Sequence, residues 1–261
     1  MQHVEIKIHG AVATVLMDHP SRHNTLSPTL IEDLRTVFSD LHQEKRVRAV
    51  ILTGGGEHFS SGIDLSVLSA ISAMAVDESQ GELFKLWQRY AELLEQILRF
   101  PKPVIAAVDG AAIGAGLGIA LAADLLVLSE RGALSAEATR RGLVSGATGA
   151  LISFRFGAAT AARMLLTGQV IDADEAYRLG MCPKPVPSAQ IWVAASELAA
   201  ACAEAPREAV QATKRLLNEC VGEMLLSQIA AGTAYSAAAC STESAKEGVA
   251  AFLEKRDPEW R

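Results

Sequence analysis

Three glycine-rich segments constrain this chain more than any other feature. Two of them follow directly on short apolar runs. Val47 to Thr53 reads as a buried strand closed by Gly54-Gly55-Gly56, and Phe59-Ser60-Ser61-Gly62-Ile63-Asp64-Leu65 comes shortly after. Val104 to Val108 reads the same way and runs into Asp109-Gly110-Ala111-Ala112-Ile113-Gly114-Ala115-Gly116-Leu117-Gly118. A third segment, Arg140 to Gly149, follows the apolar run Leu125 to Leu128. Short, fully apolar strands closed by glycine turns and followed by helical patterns indicate an α/β fold whose strands are covered on both faces.

The rest of the chain fits that frame. Val4, Ile6 and Ile8 alternate with polar residues, Gly10 marks a turn, and Ala11 to Met17 resumes an apolar run, which predicts a hairpin. Ser27-Pro28 reads as an N-cap with proline in the first turn, followed by Leu30, Leu34, Val37, Phe38 and Leu41 at helical spacing. Residues 57 to 82 read as a loop or short helices. A helix marked by Leu86, Tyr90, Leu93, Leu94 and Ile97 then ends before Pro101. Helix is expected again at 117–122. Beyond Gly157 helices dominate, at 158–166, 172–179, 192–203, 206–218 and 223–239, with a charged, partly ordered tail from Lys255 to Arg261.

Composition narrows the function. The 261 residues are 50% apolar and 21% charged, enough for a large core and against disorder. Twenty-four basic against 30 acidic residues give a net charge of −6, and no Lys/Arg run exceeds two, so no nucleic-acid partner is expected. The uncharged glycine-rich stretches Gly110 to Ala123 and Gly142 to Phe154 fall short of the roughly 20 residues of a membrane span. No secretory signal opens the chain, and Cys182, Cys202, Cys220 and Cys240 form no C-x-x-C pair. Free thiols in a cytoplasmic protein are the expectation, with a disulfide framework as the alternative.

Several chemistries fail on spacing. Gly114-x-Gly116 has Ile119 at the third position of a dinucleotide fingerprint. Neither a phosphate-binding G-x-x-x-x-G-K-[ST] nor an H-E-x-x-H occurs, and Ser145 lies one position late for a nucleophile elbow. His19 and His23 flank Pro20, which reads as a loop of solvated histidines, so no metal site is expected.

Taken in order, the motifs resemble the crotonase family, the enoyl-CoA hydratase/isomerase superfamily. The resemblance runs from about Val4 to the C-terminus. It includes Asp18 to Ser27, the three glycine segments, Lys102-Pro103-Val104-Ile105-Ala106-Ala107-Val108-Asp109-Gly110, Arg163 to Gly168 and Ala176 to Met181. It implies a ClpP-like spiral of ββα units over residues 1–195, carrying an acyl-CoA site. It also implies a C-terminal helical oligomerisation region over 196–261 that builds a homotrimer or a dimer of trimers. No separate cofactor is implied, because coenzyme A arrives as part of the thioester. The implied oxyanion hole is formed by the backbone N–H groups of Ile63 and Ala115, the latter where the Gly114 turn feeds a helix. Arg22 and Lys214 are candidates for the CoA phosphates, with solvated surface cations as the equal alternative. Ser61 and Asp64 are placed beside the adenine end or as shapers of that loop.

The chain departs from the family pattern where hydratases carry two water-activating glutamates. Those positions are Gly118 and Ala138 here. Ser145 replaces a common proline and Thr148 a common glycine, and no aspartate nucleophile of the dehalogenase kind stands near Ser145. Glu137 is next to the second position, and an extended chain would turn it away from Ala138. Single-base isomerase chemistry then requires Glu137, or a loop carboxylate such as Glu78 or Glu82, to enter the pocket. The reading is an acyl-CoA enzyme working through an enolate. A non-catalytic acyl-CoA-binding homologue is the alternative.

Overall fold

The computed structural model describes residues 1–221 and 223–260. Eight strands form in it: Val4–His9 (β1), Val12–Met17 (β2), Ala49–Gly54 (β3), Val104–Val108 (β4), Ala111–Ile113 (β5), Leu125–Leu128 (β6), Ala133–Ser135 (β7) and Ile171–Asp172 (β8). The expected hairpin pairs β1 and β2 antiparallel, with Ile6 opposite Val15. Parallel pairing then extends the sheet in the order β1-β2-β3-β4-β6, and a smaller sheet runs β5-β7-β8. The chain steps from the larger sheet to the smaller one after β4 and again after β6, so these two turns of the spiral each contribute a strand to both sheets.

Period-two burial explains the apolar runs. Val50, Leu52, Val104, Ala106 and Val108 face the main core. Ala49, Ile51, Ile105, Ala107 and Val127 face the other way, against Ile191, Ala195 and Ala199 of helix Ile191–Glu204. A strand covered on both sides has no polar position to alternate with. The domain boundary expected at residues 195 and 196 falls inside this helix, which is continuous and seated on the sheet.

The helices in chain order are Pro28–Gln43 (α1), Leu65–Ser72 (α2), Val76–Leu98 (α3), Ala115–Ala122 (α4), Gly146–Thr167 (α5), Ala173–Arg178 (α6), Ile191–Glu204 (α7), Arg207–Arg215 (α8), Glu223–Ala239 (α9) and Glu243–Glu254 (α10). Ser27 caps α1, accepting from the Leu30 N–H at 3.2 Å, as its sequence signature predicts. Helix α5 starts well before the expected Ala158 and bends at Gly157 (φ 81°, ψ 166°). The segment read as loop or short helices contains α2 and the first two turns of α3. Glu78 and Glu82 therefore lie on the exposed side of a helix, with Glu82 bonded to Lys85.

Helix α10 was not expected from the sequence. With α9 it folds back over the chain's own body, α9 against α3 and α5, α10 against α2. In the tail, Arg256 is held by Glu247 and Glu254, and Arg261 lies outside the described residues. All four cysteines are free thiols.

Candidate active site

A cavity of about 360 Å3 opens where the glycine segments converge. Its walls come from 21–23 with Thr25, from 61–66 and 113–115, and from Glu137, Ala138, Arg141 and 143–148, with Trp87 and Tyr90 from α3, Ser236 from α9, and Phe252 and Leu253 from α10. The C-terminal helices thus complete the cavity of their own chain.

The early loop is locked by one buried amide. Asn24, in the left-handed region (φ 52°) and fully buried, donates its Nδ2 hydrogens to Gly55 O and His58 O, each at 2.9 Å. Its Oδ1 accepts from His19 N at 2.9 Å, and Ser60 Oγ donates to its carbonyl at 2.7 Å. These bonds hold Arg22, Thr25 and Ser61 at the cavity. Arg22 stands half-exposed at the wall, its NH2 group 2.9 Å from Asp64 Oδ2 and 3.1 Å from Ser66 Oγ. Asp64 is also the N-cap of α2, accepting from Ser66 N at 2.9 Å.

Among the backbone amides on this wall without a protein acceptor among the described residues are those of Ile63 and Ala115, on neighbouring segments. Their direction follows from their peptide units, since the C=O and N–H of a planar trans peptide point in opposite directions. The carbonyl of Gly62 accepts from Leu26 N at 2.8 Å, so the Ile63 N–H points away from Leu26. The carbonyl of Gly114 accepts from Gly118 N at 3.0 Å and from Thr148 Oγ1 at 3.2 Å, so the Ala115 N–H points away from the helix. The two segments touch: a Cβ on Gly62 (φ 89°) would lie 2.6 Å from Ile113 O and 3.3 Å from Ala115 N. Gly114 adopts φ 52° at the N-cap of α4, a conformation that side chains disfavour. Ala115 is the first residue of α4, so the positive end of the helix dipole adds to its N–H.

Behind Ala115 sits a hydroxyl pair that the sequence did not reveal. Tyr90 Oη donates to Ala115 O at 2.9 Å and lies 3.1 Å from Thr148 Oγ1. Burial raises the Tyr90 hydroxyl above its ordinary range, so it stays protonated. Gly118 lies behind this pair rather than on the cavity wall.

The remaining residues named from sequence are distributed as follows. Ala138 and Glu137 both line the cavity. The expectation that Glu137 faces away fails because Glu137–Arg141 is a 3-10 helix rather than extended chain, so strand alternation does not apply. Glu137 Oε1 accepts from Arg141 NH2 at 2.5 Å, and that guanidinium stacks on Phe252 at 4.2 Å. Lys214 is corrected to a structural residue. It is buried and donates to Asp124 Oδ2 at 2.7 Å, Lys102 O at 3.1 Å and Ile97 O at 3.2 Å, away from the cavity. Desolvation lowers its pKa, only partly offset by Asp124. Glu78 and Glu82 also lie away from the cavity. Two hydroxyls on the wall, Ser61 Oγ and Thr25 Oγ1, are buried without a hydrogen-bond partner among the described residues. Buried polar atoms are rarely left so. Thr25 carries no sequence signal that separates it from its loop neighbours.

The described residues contain no cluster of metal-ligating side chains and no helix long and apolar enough to cross a membrane.

The comparisons with known proteins agree with this geometry. The sequence model of the family described as Enoyl-CoA hydratase/isomerase matches residues 7–261. A Thermus thermophilus protein named as an enoyl-CoA hydratase is 33% identical over 249 residues, covering 95% of this chain and 97% of its own. Carnitinyl-CoA dehydratase of Proteus mirabilis is 31% identical over 266 residues, covering 100% of this chain and 98% of its own. A solved structure of an enoyl-CoA hydratase/isomerase from Pseudoalteromonas atlantica superposes with a TM-score of 0.85 at 26% identity, over 99% of this chain and 100% of that one.

Proposed function

The chain belongs to the enoyl-CoA hydratase/isomerase family, and from that premise we propose that it activates an acyl-CoA thioester as its enolate, without two-glutamate hydration. The observation that carries this is the pair of unspent N–H groups at Ile63 and Ala115 on one cavity wall. Charge that moves onto the thioester oxygen as an α-proton leaves meets both donors. One such donor is worth roughly 3 to 4 kcal/mol in comparable sites.

Glu137 is the base in this reading. Of the two carboxylates on the wall, Asp64 is spent on Arg22, on Ser66 and on the cap of α2. Glu137 accepts one bond, from Arg141. It takes the α-proton, the electron pair delocalises onto the thioester oxygen, and the proton returns to the α-carbon or, in a 3-enoyl thioester whose double bond shifts to the α,β position, to the γ-carbon. Gly118 and Ala138 hold no water in the manner of the hydratase glutamates. Arg22 meets the CoA phosphates at the mouth, and Ser61 and Thr25 offer the thioester arm two hydroxyls. No cofactor beyond the CoA moiety is needed for this step.

We also place the protein in the cytoplasm and in a trimer or dimer of trimers. Free thiols suit a reducing compartment. The exposed Leu216, Leu217 and Met224 supply apolar surface for neighbouring subunits.

The test is incubation with acetyl-, butyryl- and octanoyl-CoA in deuterated water, read by thermal shift and mass spectrometry. Expected are a raised melting temperature and deuterium at the α-carbon. A shift without exchange selects the non-catalytic binder. Absence of both the shift and the exchange removes the acyl-CoA reading.

A further inference from the structure

A second cavity of about 200 Å3 lies beside the first, between α2 and the end of α9 with α10. Leu68, Leu143, Cys240, Ala245 and Val249 give it an apolar interior, and Ser69, Ser72 and Lys246 stand with them in its lining. Its volume exceeds the roughly 150 Å3 of an apolar cavity that takes up benzene. Leu143 is the residue that lines both cavities. Its N–H is held by Ala138 O at 2.9 Å, and the residue is 5% exposed. Beside it, Trp87 of the first cavity donates its Nε1–H to the Cys240 sulfur of the second at 3.4 Å. One flexible aliphatic side chain is thus shared by the two linings, and one indole–thiol contact joins them. Helix α10 roofs both spaces, with Ala245 and Val249 over the second and Phe252 and Leu253 over the first.

We infer that Leu143 sets the acyl-chain length, stopping the substrate's tail at the wall between the two cavities and keeping the second cavity closed to it. This rests on the acyl-CoA reading of the main cavity. The substrates are then straight-chain thioesters short enough to end against Leu143. A longer tail gains nothing from its added carbons in the wild-type protein. Opening the partition gives those carbons an apolar path between Leu68 and Val249.

The experiment measures dissociation constants for the saturated series from acetyl- to decanoyl-CoA. For the wild-type protein, affinity rises about fourfold per buried methylene, then stops rising at a chain length that the series defines. In Leu143→Ala the rise continues for at least two more carbons, so the first chain beyond the wild-type break binds about tenfold or more tighter than to wild type. Leu143→Val, which removes a single methylene, shows the same extension to a smaller degree and serves if the alanine variant folds poorly. Val249→Trp, added to either variant, fills the second cavity and returns the break to its wild-type position. An unchanged break in both Leu143 variants overturns the inference, as does an extension that survives Val249→Trp. If the wild-type protein binds no member of the series, the acyl-CoA reading itself fails and takes this inference with it.

Discussion

The Tyr90 hydroxyl stands where a side chain on Gly118 would begin: a Cβ built there overlaps Tyr90 Oη and lies 2.7 Å from Thr148 Oγ1. The position that carries a glutamate in hydratases of the family is thus occupied from behind, by a residue 28 positions earlier and one 30 positions later. Restoring hydration by writing glutamate at 118 and 138 therefore fails on packing before chemistry is reached. Gly118→Ala is expected to cost about 1 to 3 kcal/mol, the range for overpacking a filled core. Tyr90→Phe removes the overlapping oxygen but leaves Ala115 O without its donor, at about 1 to 3 kcal/mol. The double variant costs less than the two singles together by at least 0.5 kcal/mol, the signature of direct contact. Denaturant titration of the four proteins measures this, and additive costs would separate the two residues.

Tyr90 also fixes an alkaline limit. Its folded-state pKa is raised by burial, so its contribution to stability is complete below the unfolded value of about 10 and is lost as pH climbs above it. The difference in tyrosinate absorbance between wild type and Tyr90→Phe should show no step near pH 10 in the folded protein. It should appear with unfolding. The wild-type protein should lose stability relative to the variant as pH rises past 10. A Tyr90 step near pH 10 in folded protein would contradict the burial argument.

Glu137→Gln keeps the size of the side chain and removes the base. The expected result is an α-proton exchange rate lowered by about 10² to 10⁴, with thioester affinity changed less than threefold. Exchange that survives the substitution would assign proton transfer to another group.

The two cations named from sequence separate under mutation. Lys214→Met leaves Asp124 facing the buried cluster without its ammonium partner, and about 3 to 5 kcal/mol of stability should be lost. The folded fraction should bind CoA thioesters as wild type does. Arg22→Ala should do the reverse, with weakened, less salt-dependent binding and stability within about 1 kcal/mol, since Arg22 is half-exposed and the buried Asp64 keeps its bonds from Ser66. Calorimetry and thermal melts with both variants distinguish these outcomes.

What was legible in the chain follows periodicity and glycine. Leu30 to Leu41 announced α1, and the apolar runs at 104–108 and 125–128 announced strands, because each pattern is local. Gly62 and Gly114 marked turns, for only a few residue types accept those backbone angles, whereas Ile63 and Ala115 were named through the family resemblance. What was hidden depends on distant partners. No local pattern links Tyr90 to Gly118 and Thr148, or Lys214 to Asp124. Strand alternation misled at Glu137 because a 3-10 turn occupies that stretch. Helix α10 was missed although Thr242 caps it, since its apolar face is small alanine and glycine with Val249.

Crotonyl-CoA tests the central claim most directly, with hydration and α-proton exchange measured on the same preparation. Hydration needs a held and activated water. Enolate formation needs only a base and the two N–H groups of Ile63 and Ala115. The account predicts that crotonyl-CoA binds and is hydrated no faster than about once per second, while a saturated thioester exchanges its α-protons. Hydration at hundreds of turnovers per second would contradict it, because that rate requires an acid–base pair that Gly118 and Ala138 do not supply.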